Sequence, residues 1–281
     1  MFEKIKLILF LLSISLSAQN MRFVYDYRSI PDTLRKNHII DETMILEVDP
    51  QNKRSIFYSF IKMRSDSIMK ANESKNVMLF PDSRIHTRYV VEKNNETKEM
   101  FFYTRNYSIV PVSRVKDDRQ LKWNIMNERK EILSYPVQKA TVDFGGRKWT
   151  AWFTTKIPFS DGPYKFSGLP GLIIELSDAT KSHHYELVGI KKIDPPFYQL
   201  LTDSSYYRLR DISLQDYKKE LLAERKDPMR NIRQNVFQGR VYFKSEERKA
   251  EYLKEHEVRL KREMRENNNP IELDEIDIDD N

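Results

Sequence analysis

Apolar and polar residues alternate along most of this chain, from Met21 to His184, with the period of two expected of strands that bury one face of a sheet. Phe23, Tyr25 and Tyr27 set the pattern, and Met44, Leu46 and Val48 repeat it. Ile56, Tyr58 and Phe60 follow, then Ile85, Thr87, Tyr89 and Val91. Asn94-Asn95-Glu96-Thr97 reads as a hairpin turn into a strand at Met100-Phe101-Phe102-Tyr103. Further strands are expected from Ile109 to Val115, Leu121 to Ile125 and Val137 to Phe144. Gly145-Gly146 is a two-residue hairpin signal, and Arg147 to Thr154 is the returning strand. On it, Trp149, Ala151 and Phe153 share one face and Lys148, Thr150, Trp152 and Thr154 the other. Roughly ten short strands argue for an antiparallel sheet, curved or partly closed, because a flat sheet so wide leaves its edges unprotected. One interruption is expected between Ile61 and Asn76, where Ile61, Met63, Ile68 and Met69 sit among charges and suit a short helix.

The period changes after Asp194-Pro195-Pro196. Ser213-Leu214-Gln215-Asp216 has the form of a helix start, with Leu214, Tyr217, Leu221 and Leu222 along one side. Ser245-Glu246-Glu247 opens a longer helix to about Glu266, with a narrow apolar stripe of Ala250, Leu253, Leu260 and Met264. Asn267-Asn268-Asn269-Pro270 ends it. The expectation is a β-rich α+β fold: a curved antiparallel sheet or partial barrel with C-terminal helices, loosely like periplasmic half-barrel carriers. Residues 19–266 form a single β-rich domain in this reading, with a helical C-terminal part and an acidic tail over 267–281.

The first residues bear on compartment. Lys4 and Lys6 precede an apolar run from Leu7 to Leu16, and Ser15-Leu16-Ser17-Ala18 offers small residues for cleavage. This matches a secretory signal peptide over 1–18 and is too short for a membrane span. The chain contains no cysteine, so neither a lipoprotein anchor nor disulfides are expected, and stability rests on a packed core. Removing residues 1–18 lowers the net charge from +6 to +5. From Asp216 to Glu266 there are 15 Lys/Arg against 11 Asp/Glu, whereas the tail carries Glu272, Asp274, Glu275, Asp277, Asp279 and Asp280 without a cation. The basic residues interleave with Glu and so do not point to nucleic acid. Weak attraction of that basic region to an acidic surface remains open.

The chemistry-bearing motifs are few. Leu169-Pro170-Gly171-Leu172 reads as a type II turn, with proline presetting its second position and Gly171 supplying positive φ, that launches a buried strand. Gly168-Leu169-Pro170-Gly171 lacks the ending of a phosphate loop, and Ser167 lacks the flanking glycines of a nucleophile elbow. His38, His86, His183, His184 and His256 have no metal-binding spacing, and no cofactor motif stands out. Asp143, Arg147 and Lys148 flank one loop and Asp161 and Lys165 another, as a polar site or as surface ion pairs. The aromatics are denser: Trp149, Trp152, Phe153, Phe159, Tyr164 and Phe166 fall close together. Trp149, Phe153, Phe166 and Leu172 are therefore the candidate ligand-binding residues, with core packing as the alternative.

The run from Phe144-Gly145-Gly146-Arg147 through Trp149-Thr150-Ala151-Trp152-Phe153 to Gly162-Pro163-Tyr164-Lys165-Phe166 and Gly168-Leu169-Pro170-Gly171-Leu172-Ile173 closely resembles the GLPGLI family, also called Porph_ging. The likeness is densest over residues 141–175 and extends to Asn268-Asn269-Pro270-Ile271-Glu272-Leu273, which looks like the family's C-terminal signature. The resemblance implies an exported protein of Bacteroidetes-type bacteria, periplasmic or in the cell envelope, and supplies no catalytic residues. It also implies an association with TonB-dependent outer-membrane transporters. Two function classes follow: a non-enzymatic envelope protein binding an apolar ligand or a partner protein, or an envelope-directed hydrolase.

Overall fold

The strands fall into two antiparallel meanders. The first runs β1 (Asn20–Ser29), β2 (Ile40–Asp49), β3 (Arg54–Ser59), β4 (Val90–Asn94), β5 (Met100–Thr104) and β6 (Val112–Lys116), each paired with the next. The second runs β7 (Asn124–Ile132), β8 (Tyr135–Phe144), β9 (Arg147–Thr154), β10 (Leu172–Asp178) and β11 (His183–Ile193). Pairing of β1 with β11 joins them, and β12 (Leu209–Ser213) adds in parallel to β6. Among the described residues the result is one open, curved sheet of 12 strands, with four α-helices. The computed structural model describes residues 19–75, 79, 81–104, 112–194 and 209–275. The leader expected over 1–18, the first residues of the strand expected from Ile109 to Val115, Pro195, Pro196 and the last part of the acidic tail lie outside the described residues.

The topology itself requires the curvature. β6 and β7 sit ten places apart in the sheet, so a flat sheet would separate them by about 48 Å at ~4.8 Å per strand. Residues 117–123 connect them, and that length of chain spans at most about 29 Å. The sheet bends, and the connection crosses its concave side. The strand expected from Leu121 to Ile125 accordingly begins only at Asn124. Leu121 and Trp123 instead pack onto the core.

Alternation then sorts the strand residues. Phe23, Tyr25 and Tyr27 of β1 are buried on the concave face with Met44, Leu46 and Val48 of β2, Trp149, Ala151 and Phe153 of β9, and Tyr185 of β11. The β9–β10 connection lies over them, adding Ile157, Tyr164, Phe166 and Leu169 to the same core. On the convex face Ile45, Ile56, Tyr58, Val90 and Tyr103 form a smaller cluster under Met63 of α1 (Phe60–Asn72). Phe60, expected to close a strand, starts this helix because the Ser59 hydroxyl accepts from the Lys62 amide and caps it. Ile85 to Tyr89 form no strand; the Thr87 amide donates to the Glu42 carboxylate instead of to a neighbouring strand.

The Gly145-Gly146 hairpin is present, with φ of 61° and 73° matching a type I′ turn. The type II turn at Pro170-Gly171 is not. The Gly171 amide donates to the Leu169 carbonyl across Pro170 at 2.8 Å, a three-residue turn, and Gly171 has φ +152°. A Cβ there would lie 2.0 Å from the Thr154 carbonyl oxygen, so close backbone approach is what demands glycine.

α2 (Leu214–Lys226) is capped as its sequence indicates: the Ser213 side chain accepts from the Asp216 amide. Tyr217 and Leu221 are its buried residues. α3 (Arg230–Phe237) buries no residue, and α4 (Glu246–Glu266), capped by Ser245, buries Leu260 out of its expected stripe. The tail expected from 267 needs correction. Asn269, Ile271 and Glu272 are buried, because the segment after α4 returns across the concave side as a strap. The Leu273 amide donates to the Gly145 carbonyl, and the Asn269 amide to that of Pro31.

Candidate functional site

The strap is held by Arg147, the residue after the diglycine turn. Its guanidinium donates to the carbonyls of Pro270 (2.6 Å) and Ile271 (3.2 Å), to the Asn269 side chain and to Asp178 (3.1 Å). Beyond it, Glu272 enters a buried charge cluster. Lys165, fully buried, donates to Asp117 at 2.9 Å and to Glu272 at 2.6 Å, and lies 3.7 Å from the Phe102 ring centre. Arg119 bridges the same two carboxylates at 2.5 and 2.6 Å. Burial pushes the Asp117 and Glu272 carboxyls up, but Arg119 and Lys165 outweigh it and hold both below the ordinary range. Two cations thus meet two anions. The groups come from the sheet-crossing connection, the β9–β10 connection and the strap, so the cluster is a three-way lock.

Asp161 and Lys165, which flank one loop in sequence, do not pair with each other. Asp161 pairs with buried Lys93, whose ammonium also donates to the Gly162 carbonyl at 2.8 Å. Burial pushes Lys93 down against the pull of Asp161. Of the flanking charges, Asp143 and Lys148 form the exposed surface pair, at 3.5 Å.

Trp149, Phe153, Phe166 and Leu172, the candidate ligand residues, are all core, with at most 1% of their surface exposed. The β9–β10 connection and the strap fill the part of the concave face they occupy. Phe166 packs 4.7 Å from Trp149, and the Trp149 indole donates to the Phe144 carbonyl. Trp152, on the other face, is half-buried under the Lys130 ammonium at 4.2 Å. Gly168 has φ +95°, Leu169 is buried, and Pro170 is exposed.

The open space lies one step along. A cavity of about 510 Å³ sits between β1, β5, the residues before β4, α2 and the strap. Tyr27, Tyr89, Phe102, Tyr164 and Tyr217 line it, with Ile85, Leu221 and Ile271 between them. The hydroxyls of three tyrosines are already bonded: Tyr27 to His183 Nδ1 (2.7 Å), Tyr89 to Tyr185 (3.1 Å) and Tyr164 to Glu272 (2.5 Å). Tyr217 stands edge-on to Phe102, with ring centres 5.1 Å apart. These rings therefore offer the cavity carbon and π-faces more than polar groups.

Two further ionisable groups line the cavity, His183 buried and Glu275 half-buried. His183 Nε2 donates to the Asn269 carbonyl at 3.1 Å, which leaves Nδ1 to accept from Tyr27. Burial, then the Arg147 charge, pushes this imidazole down to about 4, so it is neutral and fully bonded. Burial, then repulsion from Glu272, pushes the Glu275 carboxyl up to about 8. Exposed His86 and Arg88 stand at the rim, with half-buried Arg225. Among the described residues neither Arg88 nor Arg225 has an ion-pair partner. No group of three or more His, Asp or Glu placed to hold a metal occurs among the described residues.

The four side chains singled out in the sequence pack as core, the alternative given for them, and the open cavity is lined by others. The cavity is built by Tyr27 and Tyr89, which read as ordinary strand positions, and by a strap read as tail. The only available signal was the Asn-Asn-Pro-Ile-Glu-Leu signature, a run with apolar members inside an acidic segment.

The family described as "Protein of unknown function (Porph_ging)" matches residues 145–175, from the diglycine turn into β10. Among solved structures, the chain is similar to PNGF-II in two crystal forms, each with 17% identity and a TM-score of 0.48 over 72% of this chain. It spans about a third of the length of those structures, 33% and 32%. It is also similar to an uncharacterized conserved protein from Thermus thermophilus, with 8% identity, a TM-score of 0.35, and coverage of 70% of this chain and 91% of that one. The comparison with curated proteins gives no match.

Proposed function

We propose that this chain is a non-enzymatic binding protein of the cell envelope that takes an amphipathic ligand, apolar body inward and anionic head at the rim. One observation carries the reading: a cavity of about 510 Å³ walled by aromatic rings whose hydroxyls are largely committed elsewhere. That volume falls within the range of small-molecule sites. Near pH 7 His183 and Glu275 are neutral, His183 by its low affinity for a proton and Glu275 by its high one, so burying an apolar body beside them strands no charge. Arg88 and Arg225 at the rim suit a carboxylate or phosphate head. Periplasmic placement without a lipid anchor, and service to a TonB-dependent transporter as its partner, belong to the same proposal and rest on the leader and the family resemblance.

The hydrolase alternative draws on a single group, Glu275, protonated near neutrality and able to donate. The buried imidazole of His183 has both nitrogens bonded, which takes it out of use as a base.

Native mass spectrometry of protein from its own host, followed by titration with a long-chain fatty acid, tests the reading. One equivalent should bind. Leu221→Trp should block the cavity, and Arg225→Gln should weaken binding of the acid more than of the corresponding alcohol. No saturable binding, or binding indifferent to both substitutions, would overturn it.

A further inference from the structure

The tip between α3 and α4 is the most exposed apolar feature of the described residues. Phe237 is 92% exposed and Tyr242 88%. Between them the chain turns at Gly239, at φ +67°, with the Arg240 amide bonded back to the Asn235 carbonyl as a helix C-cap. A Cβ built on Gly239 meets no atom within 4 Å, so the turn projects into open space.

Within the turn segment itself the charges are of one sign, and Glu246 and Glu247 follow it at the start of α4. Residues 230–245 hold Arg230, Arg233, Arg240 and Lys244 and no acidic residue, although α4 next to them mixes both signs. Arg233 pairs with Asp227, while Arg230, Arg240 and Lys244 have no ion-pair partner among the described residues.

We propose that this tip docks on an anionic lipid surface, with Phe237 and Tyr242 entering the headgroup layer and Arg230, Arg240 and Lys244 facing the lipid phosphates. Aromatic side chains favour that depth, and each cation near such a surface strengthens partitioning roughly fivefold. A protein partner fits less well. A stable interface takes about 20–30 residues from each side, whereas a convex turn with two protruding rings offers a fraction of that. A membrane needs no matching pocket. The proposal stands on a different part of the molecule from the cavity and does not depend on what the cavity holds.

Sedimentation with vesicles tests it, using protein purified from its native envelope so that it carries the processing the cell performs. The protein should pellet with phosphatidylcholine vesicles containing phosphatidylglycerol, bind pure phosphatidylcholine much less, and be released by salt. Phe237→Ala with Tyr242→Ala should weaken binding at least tenfold. Arg240→Gln with Lys244→Gln should cut it by roughly 20-fold and flatten the salt dependence. Both pairs are surface changes, and unchanged circular dichroism melts would confirm intact folds. Binding unaffected by either pair would overturn the proposal. So would failure of the unmodified protein to bind phosphatidylglycerol vesicles, which would leave the tip to a protein partner.

Discussion

Single residues decide whether the concave side closes. Gly171→Ala sets a methyl group 2.0 Å from a backbone oxygen, and a backbone atom cannot yield as a flexible side chain can. The substitution should cost about 1–3 kcal/mol, read as a lower melting temperature with unchanged secondary structure. The charge lock gives a sharper expectation. Lys165→Met leaves Asp117 and Glu272 buried against Arg119 alone and should cost about 3–5 kcal/mol. Adding Glu272→Gln leaves Arg119 and Asp117 as a balanced pair, so the double variant should regain part of the loss in urea unfolding. At this scale the sequence was least informative. Asp117 and Lys165 look like any solvated charges, since nothing local marks that partners 48 and 107 positions away will bury them.

Elements were far more legible, because strands and caps are written in neighbouring residues. The alternations at Phe23–Tyr27 and Met44–Val48, the diglycine hairpin, and the capping serines 213 and 245 all lead to the observed elements. The failures have a common cause. β12 and the register of β1 on β11 depend on partners far along the chain, and the residues from Ile85 to Tyr89 alternate like a strand yet serve as cavity wall. Helix α2 carries three of the cavity's residues, Tyr217, Leu221 and Arg225, so its start matters to the site. Ser213→Ala should destabilise the protein by about 1 kcal/mol and loosen fatty-acid binding in the titration above. Ser245→Ala should mostly fray the first turn of α4, which buries only Leu260, as seen by amide exchange.

For the whole molecule, opposed ionisations set the best pH. His183 is pushed down to about 4, while an unfolded imidazole titrates near 6.5. The unfolded chain therefore takes up a proton first, and stability is lost as pH falls from about 6.5 towards 4, with Asp117 and Glu272 adding their losses further into acid. Glu275 works the other way. Its carboxyl titrates near 4.5 unfolded and about 8 folded, so stability falls as pH rises between those values. Glu224, pushed up to about 7, acts in the same direction over a narrower range. Stability should peak on the acid side of neutrality, and Glu275→Gln should flatten the alkaline decline while sparing the acid limb. Urea midpoints from pH 4 to 9 for the two proteins would check both signs.

The strap has a consequence in time. Protein synthesis runs from the N-terminus, and Glu272 follows Lys165 by 107 residues. At roughly 5–20 residues per second, an emerging chain spends on the order of 5–20 s with the ammonium made and its second carboxylate not yet in existence. Throughout that interval, closing the concave side would bury an excess positive charge and leave Arg147 without the Pro270 and Ile271 carbonyls it binds. The final fold is thus withheld until the strap has been made, and the concave side stays open over that interval. Released chains truncated after Asn267 should be digested rapidly by protease, and those reaching Glu275 should resist it.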